Sequence, residues 1–231
     1  NEVSPFDNED FRKAVNAAID REAVLTVALN GEGMPAKGVC PSIFSGTSAD
    51  NSEGYDLQKA EAYLESSGVD PETVSFACIV SNDTTRRAAE VIQANLAEIG
   101  LNMTIESLDY AAWLSDVMGG TYETAITGYT STSLARYLSG TFHTSALNAA
   151  NQARVSDSYV DGIIDAALKL TDSEASDALY REVTAYLNGL TPYVPLYESI
   201  VTRAYNSELE GVKVGSSGNV RFEDISWGDQ N

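Results

Sequence analysis

Residues 74–106, VSFACIVSNDTTRRAAEVIQANLAEIGLNMTIE, decide the fold. Val74-Ser75-Phe76-Ala77-Cys78-Ile79-Val80 is a short run of β-favouring residues. Asp83 or Thr84 stands where a helix cap belongs. Beyond it Ala88, Val91, Ile92, Leu96 and Ile99 recur at three- and four-residue steps and make one apolar stripe. Gly100 is placed to stop that helix. Leu101, Met103 and Ile105 then alternate with Asn102, Thr104 and Glu106, the pattern of a half-buried strand. Strand, helix and strand within about 35 residues predict a right-handed βαβ unit.

Outward toward the N-terminus, Asp56 is expected to cap a helix carrying Leu57, Ala60, Tyr63 and Leu64, with Gly68 after it. Residues 31–54 read as a long loop, and such a loop in a compact domain is usually functional or mobile. Gly31-x-Gly33 within it is no nucleotide fingerprint: it follows a helix, and the third glycine is absent. Before the loop, Asp7 or Asn8 caps a helix with Glu9 and Asp10 in its first turn, where the helix dipole favours acids. Phe11, Val15, Ala18, Ile19 and Ala23 predict one continuous helix running to Asn30-Gly31.

Toward the C-terminus, Tyr110 to Met118 reads as a helix broken by Gly119-Gly120, and residues 122–129 as a strand ending at Gly128-Tyr129. Residues 130–155 are rich in Ser, Thr, Asn and Ala, with weak periodicity. Val160, Ile163, Ile164, Ala167 and Leu168 mark one further helix. Thr171-x-x-Glu174 resembles a capping box for another, bearing Leu179, Val183, Tyr186 and Leu187. Tyr193 to Tyr205 reads as extended, followed by a glycine-punctuated tail. Alternating helices and strands, helix-heavy, place the chain in the α/β class.

Composition removes several functions. A length of 231 residues allows one large domain or two small ones at roughly 150 residues per domain. Lys and Arg number 14 against 34 Asp and Glu, a net charge of −20 that repels phosphate, so nucleic acid is no expected partner. No run approaches the ~20 apolar residues of a membrane span. Asn1 to Pro5 are polar, without a basic start, so the chain is expected to begin after any targeting segment or partway through a longer protein. Cys40 and Cys78 are two at most for one bridge, and read as small, partly buried thiols. The single histidine, His143, excludes a multi-imidazole zinc site and reads as an exposed loop residue. Asp161 and Asp165, one turn apart, raise a carboxylate-dependent hydrolase, but the helix around them reads as an ordinary amphipathic one with a solvated acidic face. Neither a cofactor nor a metal site is expected.

Several stretches together resemble a known family. Phe11-Arg12-Lys13-Ala14-Val15-Asn16-Ala17-Ala18-Ile19-Asp20-Arg21 and Gly33-Met34-Pro35-Ala36 are two of them. Tyr55-Asp56-Leu57-Gln58-Lys59-Ala60, Ile92 to Leu101, Gly120-Thr121-Tyr122-Glu123 and Pro192-Tyr193-Val194-Pro195-Leu196-Tyr197 are the others. In that order they resemble the C-terminal half of the bacterial extracellular solute-binding proteins of family 5, the peptide and nickel receptors of ABC importers. The resemblance implies a periplasmic-binding-protein-like type II lobe with a mixed β-sheet flanked by helices. It implies a ligand-binding lobe over residues 1–206 and a tail, 207–231, that returns to a missing N-terminal lobe. It further implies capture of a peptide or other small solute by hinge closure, delivery to a membrane permease, and a periplasmic or lipid-anchored location outside the cytoplasm. A non-transport interaction domain of the same fold is the alternative.

In open α/β sheets, ligands bind beyond the carboxyl ends of the strands. The loop after the strand at 122–129 therefore nominates Tyr129, Thr130, Ser131 and Thr132, with Arg136 and Tyr137 just beyond, and the strand ending at Val80 nominates Ser81 and Asn82. Tyr129 offers an aromatic surface with a polar tip, and Arg136 suits a ligand carboxylate. Peptide binders of the resembled family carry an Asp in this loop to clamp the peptide ammonium. Residues 130–135 here are Thr, Ser, Thr, Ser, Leu and Ala, without an acid, a composition that also suits a neutral or sugar-like ligand or a metal complex.

Overall fold

The computed structural model describes residues 2–48, 54–215 and 218–228. In chain order the elements are α1 (Glu9–Ala18), α2 (Arg21–Leu29), β1 (Met34–Pro35), α3 (Leu57–Ser67), β2 (Ser75–Val80), α4 (Asp83–Glu98) and β3 (Asn102–Ser107). There follow α5 (Tyr110–Gly119), β4 (Thr124–Ala125), α6 (Leu134–Thr141), a 3-10 turn (Thr144–Ala146), α7 (Ser158–Leu168), α8 (Ser173–Leu190) and β5 (Tyr197–Glu198). The tail forms β6 (Leu209–Glu210), β7 (Lys213–Val214), β8 (Val220–Arg221) and β9 (Ser226–Trp227). Parts of the long loop and of the tail named above lie outside the described residues.

The βαβ unit stands as predicted. β2 lies at the centre of a parallel sheet ordered β3-β2-β4. Its alternation sorts the layers: Phe76, Cys78 and Val80 point into a core shared with α1, α2, α3 and α4, while Ile79 points the other way, onto Trp113 and Val117 of α5. A second core joins α6, α7 and α8 around Leu138, Phe142, Val160, Ile164, Val183 and Leu187.

Two arginines, Arg21 buried and Arg12 half-buried, tie the first two helices to the end of α8 and the segment after it. Arg12 Nε donates to Thr191 O at 3.0 Å and its Nη2 to Leu190 O at 2.7 Å, capping the free carbonyls at the end of α8. Arg21, only 6 % exposed, donates from Nε to Pro195 O at 2.7 Å and from Nη1 to Ile19 O and Asn16 O at 3.3 and 3.4 Å. Its Nη2 donates to Asn16 Oδ1. Burial lowers the Arg21 pKa from its ordinary value, yet these acceptors keep the cation solvated. Beside this knot β1 pairs antiparallel with β5, Met34 opposite Glu198 and Pro35 opposite Tyr197. Gly33 makes the approach possible: a Cβ there would stand 2.7 Å from Glu198 O. Asn188 of α8 accepts from Val39 N at 2.9 Å and donates to Ser48 O at 3.2 Å, fastening the loop to the second core.

Several elements differ from the sequence expectation. The first helix is two, because Asp20 turns its carboxylate back to the amides of Glu22 and Ala23 and starts α2 afresh. Asn82, not Asp83 or Thr84, caps α4, in a reciprocal pair with Thr85. Asp172, rather than Thr171, caps α8. The strand at 122–129 shrinks to Thr124–Ala125: its only partner, β2, leaves the ladder at Val80 to start α4. Of the extended stretch at 193–205, only Tyr197–Glu198 finds a partner. Residues 130–155 hold α6, hidden from propensity by Ser, Gly and Thr but fixed by Leu134 and Leu138 in the core and by the Ser133 cap.

Both cysteines are free and buried. Desolvation raises the Cys40 thiol far above its ordinary value and the Cys78 thiol from 9.0 to about 11. Because the folded protein then holds thiol protons that the unfolded chain has lost, stability is undiminished below pH 9 and falls as pH rises from 9 toward 11. Replacing Cys78 by Ala is expected to flatten that decline in chemical-denaturation curves taken across the same pH range. Replacing Arg21 by Ala strands the Pro195 carbonyl and is expected to cost about 3 kcal/mol, read as a lower melting temperature.

Candidate functional site

Because the three strands run parallel, the chain leaves all of them at one edge. β2 continues into Ser81 and Asn82. β3 is held level with it by the bond from Leu108 N to Val80 O, 2.9 Å, and β4 by the bond from Ile126 N to Ile79 O, 3.4 Å. An open cleft of about 1230 Å³ runs from the helix-covered face of the sheet, at Phe76, Ile92 and Met103, to this edge, where it reaches Ser81, Asn82, Tyr129, Thr130, Ser131 and Tyr137. Adjoining it is a groove of about 500 Å³ lined by Tyr129, Thr130, Ser131, Thr132, Arg136 and Asn219. All the residues nominated from the sequence thus line one or the other.

Their side chains are not equally available. Tyr129 is 42 % exposed, and its ring meets that of Tyr137 edge-on at 5.7 Å. Thr130, Thr132 and Arg136 are exposed, and the Arg136 guanidinium has no carboxylate partner among the described residues. Ser131 is occupied in shaping the loop, its hydroxyl donating to Ser133 O at 3.0 Å, while Ser133 accepts from Arg136 N and caps α6. Asn82 spends its side-chain oxygen on Thr85 N. Tyr137 is scaffold more than surface: its hydroxyl donates to Val39 O at 2.9 Å, its ring contacts Phe44 and Phe142, and burial pushes its phenol far above the ordinary value.

The cleft also holds residues that the sequence reading passed over. Tyr110, 63 % exposed, stacks on Trp113 at 5.8 Å and 25°, and both line the cleft. The signal for them was their place in the first turn after β3, at the same carboxyl edge. Asn219 reaches the groove from the tail, and nothing in its local sequence marks it.

His143 is half-buried, not an exposed loop residue. Its Nδ1 accepts from Ser145 N at 3.0 Å, so it caps the 3-10 turn, and its Nε2 lies 3.5 Å from Asp165 Oδ1. Asp161 accepts from Thr144 N at 2.9 Å. These three side chains join the end of α6 to α7, and none of them lines the cleft. Among the described residues there is no group of three or more His, Cys, Asp or Glu suited to a metal ion, and no helix long and apolar enough to cross a membrane.

A helix-flanked parallel sheet with an open cleft along its carboxyl edge is the architecture of a type II periplasmic-binding-protein lobe, and solved structures agree. The periplasmic binding protein DppA of Helicobacter pylori, described as ABC transporter-associated and in complex with the peptide STSA, superposes with a TM-score of 0.85 over 99 % of this chain and 46 % of its own, at 23 % identity. The oligopeptide-binding protein AppA of Bacillus subtilis, in complex with a nonapeptide, gives 0.83 over 99 % and 49 %, at 19 % identity. The family model for bacterial extracellular solute-binding proteins, family 5 Middle, matches residues 1–146, and the chain belongs to this family. Among curated relatives, the glutathione-binding protein GsiB of Salmonella paratyphi A is 30 % identical over 95 % of this chain and 45 % of its own length. Heme-binding protein A of Haemophilus influenzae is 26 % identical over 97 % and 43 %. The chain therefore spans less than half the length of these relatives.

Replacing Tyr137 by Phe removes one buried hydrogen bond and is expected to cost about 1 kcal/mol in urea unfolding, while leaving the exposed face of Tyr129 in place.

Proposed function

We propose that this chain is the C-terminal ligand-binding lobe, residues 1–206, of an extracytoplasmic two-lobed receptor that captures a peptide-like solute and hands it to the membrane permease of an ABC importer. The tail, 207–231, completes the other lobe. The observation that carries the reading is the open cleft at the carboxyl edge of the parallel sheet with its adjoining groove, rimmed by exposed Tyr129 and by an Arg136 that has no carboxylate partner among the described residues. An open half-site suits a partner lobe that closes over it by hinge motion. The name of one relative, glutathione-binding, and the peptides held by the two solved structures favour a peptide-like solute. In this reading Arg136 meets a ligand carboxylate, Tyr129 supplies an apolar platform, and Thr130, Thr132 and Ser81 give hydroxyl contacts, with Ser131, Asn82 and Tyr137 holding the walls. With no acid in residues 130–135, a peptide ammonium is met by the other lobe. The receptor sits in the periplasm or is lipid-anchored outside the cytoplasmic membrane.

Thermal shift of the full-length receptor tests this against separate pools of glutathione, short peptides, sugars, heme and chelated nickel. A ligand at 100 times its dissociation constant stabilises by ~2.7 kcal/mol, so a peptide or glutathione pool is expected to raise the melting temperature clearly, and no response to any pool contradicts the reading. Arg136→Ala is expected to weaken a carboxylate-bearing ligand about tenfold or more by calorimetry, with the melting temperature of the free receptor unchanged.

A further inference from the structure

Gly140 lies in the last turn of α6, one turn beyond Arg136 on the same helix face. Glycine inside a helix is less favourable than alanine, and the backbone gives no reason for it here, since Gly140 does not adopt a left-handed φ. The reason is across the groove. A Cβ at position 140 would stand 2.8 Å from Tyr129 Oη, 3.3 Å from Cζ and 3.7 Å from Cε1. The phenol of Tyr129 thus rests in a notch that exists because position 140 has no side chain. Its other support is Tyr137, edge-on at 5.7 Å and itself pinned to Val39 O. A floor at Gly140 and a wall at Tyr137 hold one orientation of the ring, and its remaining surface faces the groove with Thr130, Thr132, Arg136 and Asn219.

We propose that Gly140 is the positioning residue of Tyr129: the missing side chain seats the phenol against α6 and so sets the shape of the groove in which a solute rests. The notch stands on geometry alone, whereas its bearing on solute recognition rests on the ligand-site reading above. Any side chain at position 140 displaces the ring from the notch and alters the surface that a solute group meets beside Arg136.

The test is a double-mutant cycle on the full-length receptor with Gly140→Ala, Tyr129→Phe and both together. Helix propensity alone makes Ala the more stable residue at position 140. The notch predicts that part of this gain is lost in the wild-type background, because the phenol must move aside to admit a methyl group. In the Tyr129→Phe background, where the 2.8 Å contact atom is gone, the same change is expected to be neutral or stabilising. Equal shifts in the two backgrounds overturn the proposal. A second arm measures affinity for reduced glutathione and for the dipeptide Met-Leu in the wild type, Tyr129→Ala and Gly140→Ala, with about tenfold weakening expected in each variant. If Tyr129→Ala weakens binding and Gly140→Ala does not, the positioning role falls and the ligand site stands. If Tyr129→Ala leaves affinity unchanged while the stability coupling is present, the ligand site falls and the notch stands. If neither probe binds the wild type, the stability cycle alone decides.

Discussion

One buried cation holds the two ends of this lobe together. Arg21 has no carboxylate partner among the described residues: its guanidinium is satisfied by the carbonyls of Asn16, Ile19 and Pro195 and by the Asn16 side chain. A fixed planar fork of five donors serves three separate backbone carbonyls in a way that a lysine ammonium cannot. The bond to Pro195 joins residues 174 positions apart, and with Arg12 on the end of α8 it sets where β5 runs. β5 in turn pairs with β1 and fixes the start of the loop that Asn188 fastens to the second core. That loop presents the Val39 carbonyl to Tyr137, and Tyr137 is the wall behind Tyr129. A continuous set of contacts therefore runs from the buried cation to the rim of the cleft. Three of the stretches that carry the family likeness, around Arg21, Gly33 to Ala36 and Pro195 to Tyr197, are parts of this knot.

Legibility in the sequence followed how local each determinant was. The βαβ unit was readable because its periodicities are long and its strand is buried on both faces. The break between α1 and α2 was not, because apolar residues continue through it and only the Asp20 side chain, bonded to amides two and three residues on, interrupts the helix. α6 was hidden for the opposite reason. Its Ser, Gly and Thr lower helix propensity, and two of those residues have other tasks: Ser133 caps the helix, and Gly140 makes room for Tyr129. The residues nominated for the site all line the cleft or the groove although their strand was drawn too long, since the edge rule depends on direction and not on strand length. What sequence alone does not reveal is availability. Tyr137 and Asn82 line the cleft but spend their polar atoms on the protein, and Asn219 arrives from a distant tail.

Charge also has a local meaning that the net value conceals. Against a total of −20, Arg12 and Arg21 are consumed by backbone carbonyls, and Arg86, Arg154 and Lys213 by carboxylates. Arg136, like Lys37, Lys59, Lys169 and Arg181, has no ion pair among the described residues, and it is the one of these that lines the groove.

The most direct measurement of the central claim is hydrogen–deuterium exchange of the full-length receptor with and without a saturating solute. If the carboxyl edge of the sheet is the binding face, protection appears in segments 80–85 and 126–136 and leaves the distal surface of α7 and α8 unchanged. Protection confined to α7, α8 or the tail, with those two segments exchanging as in the free receptor, contradicts it.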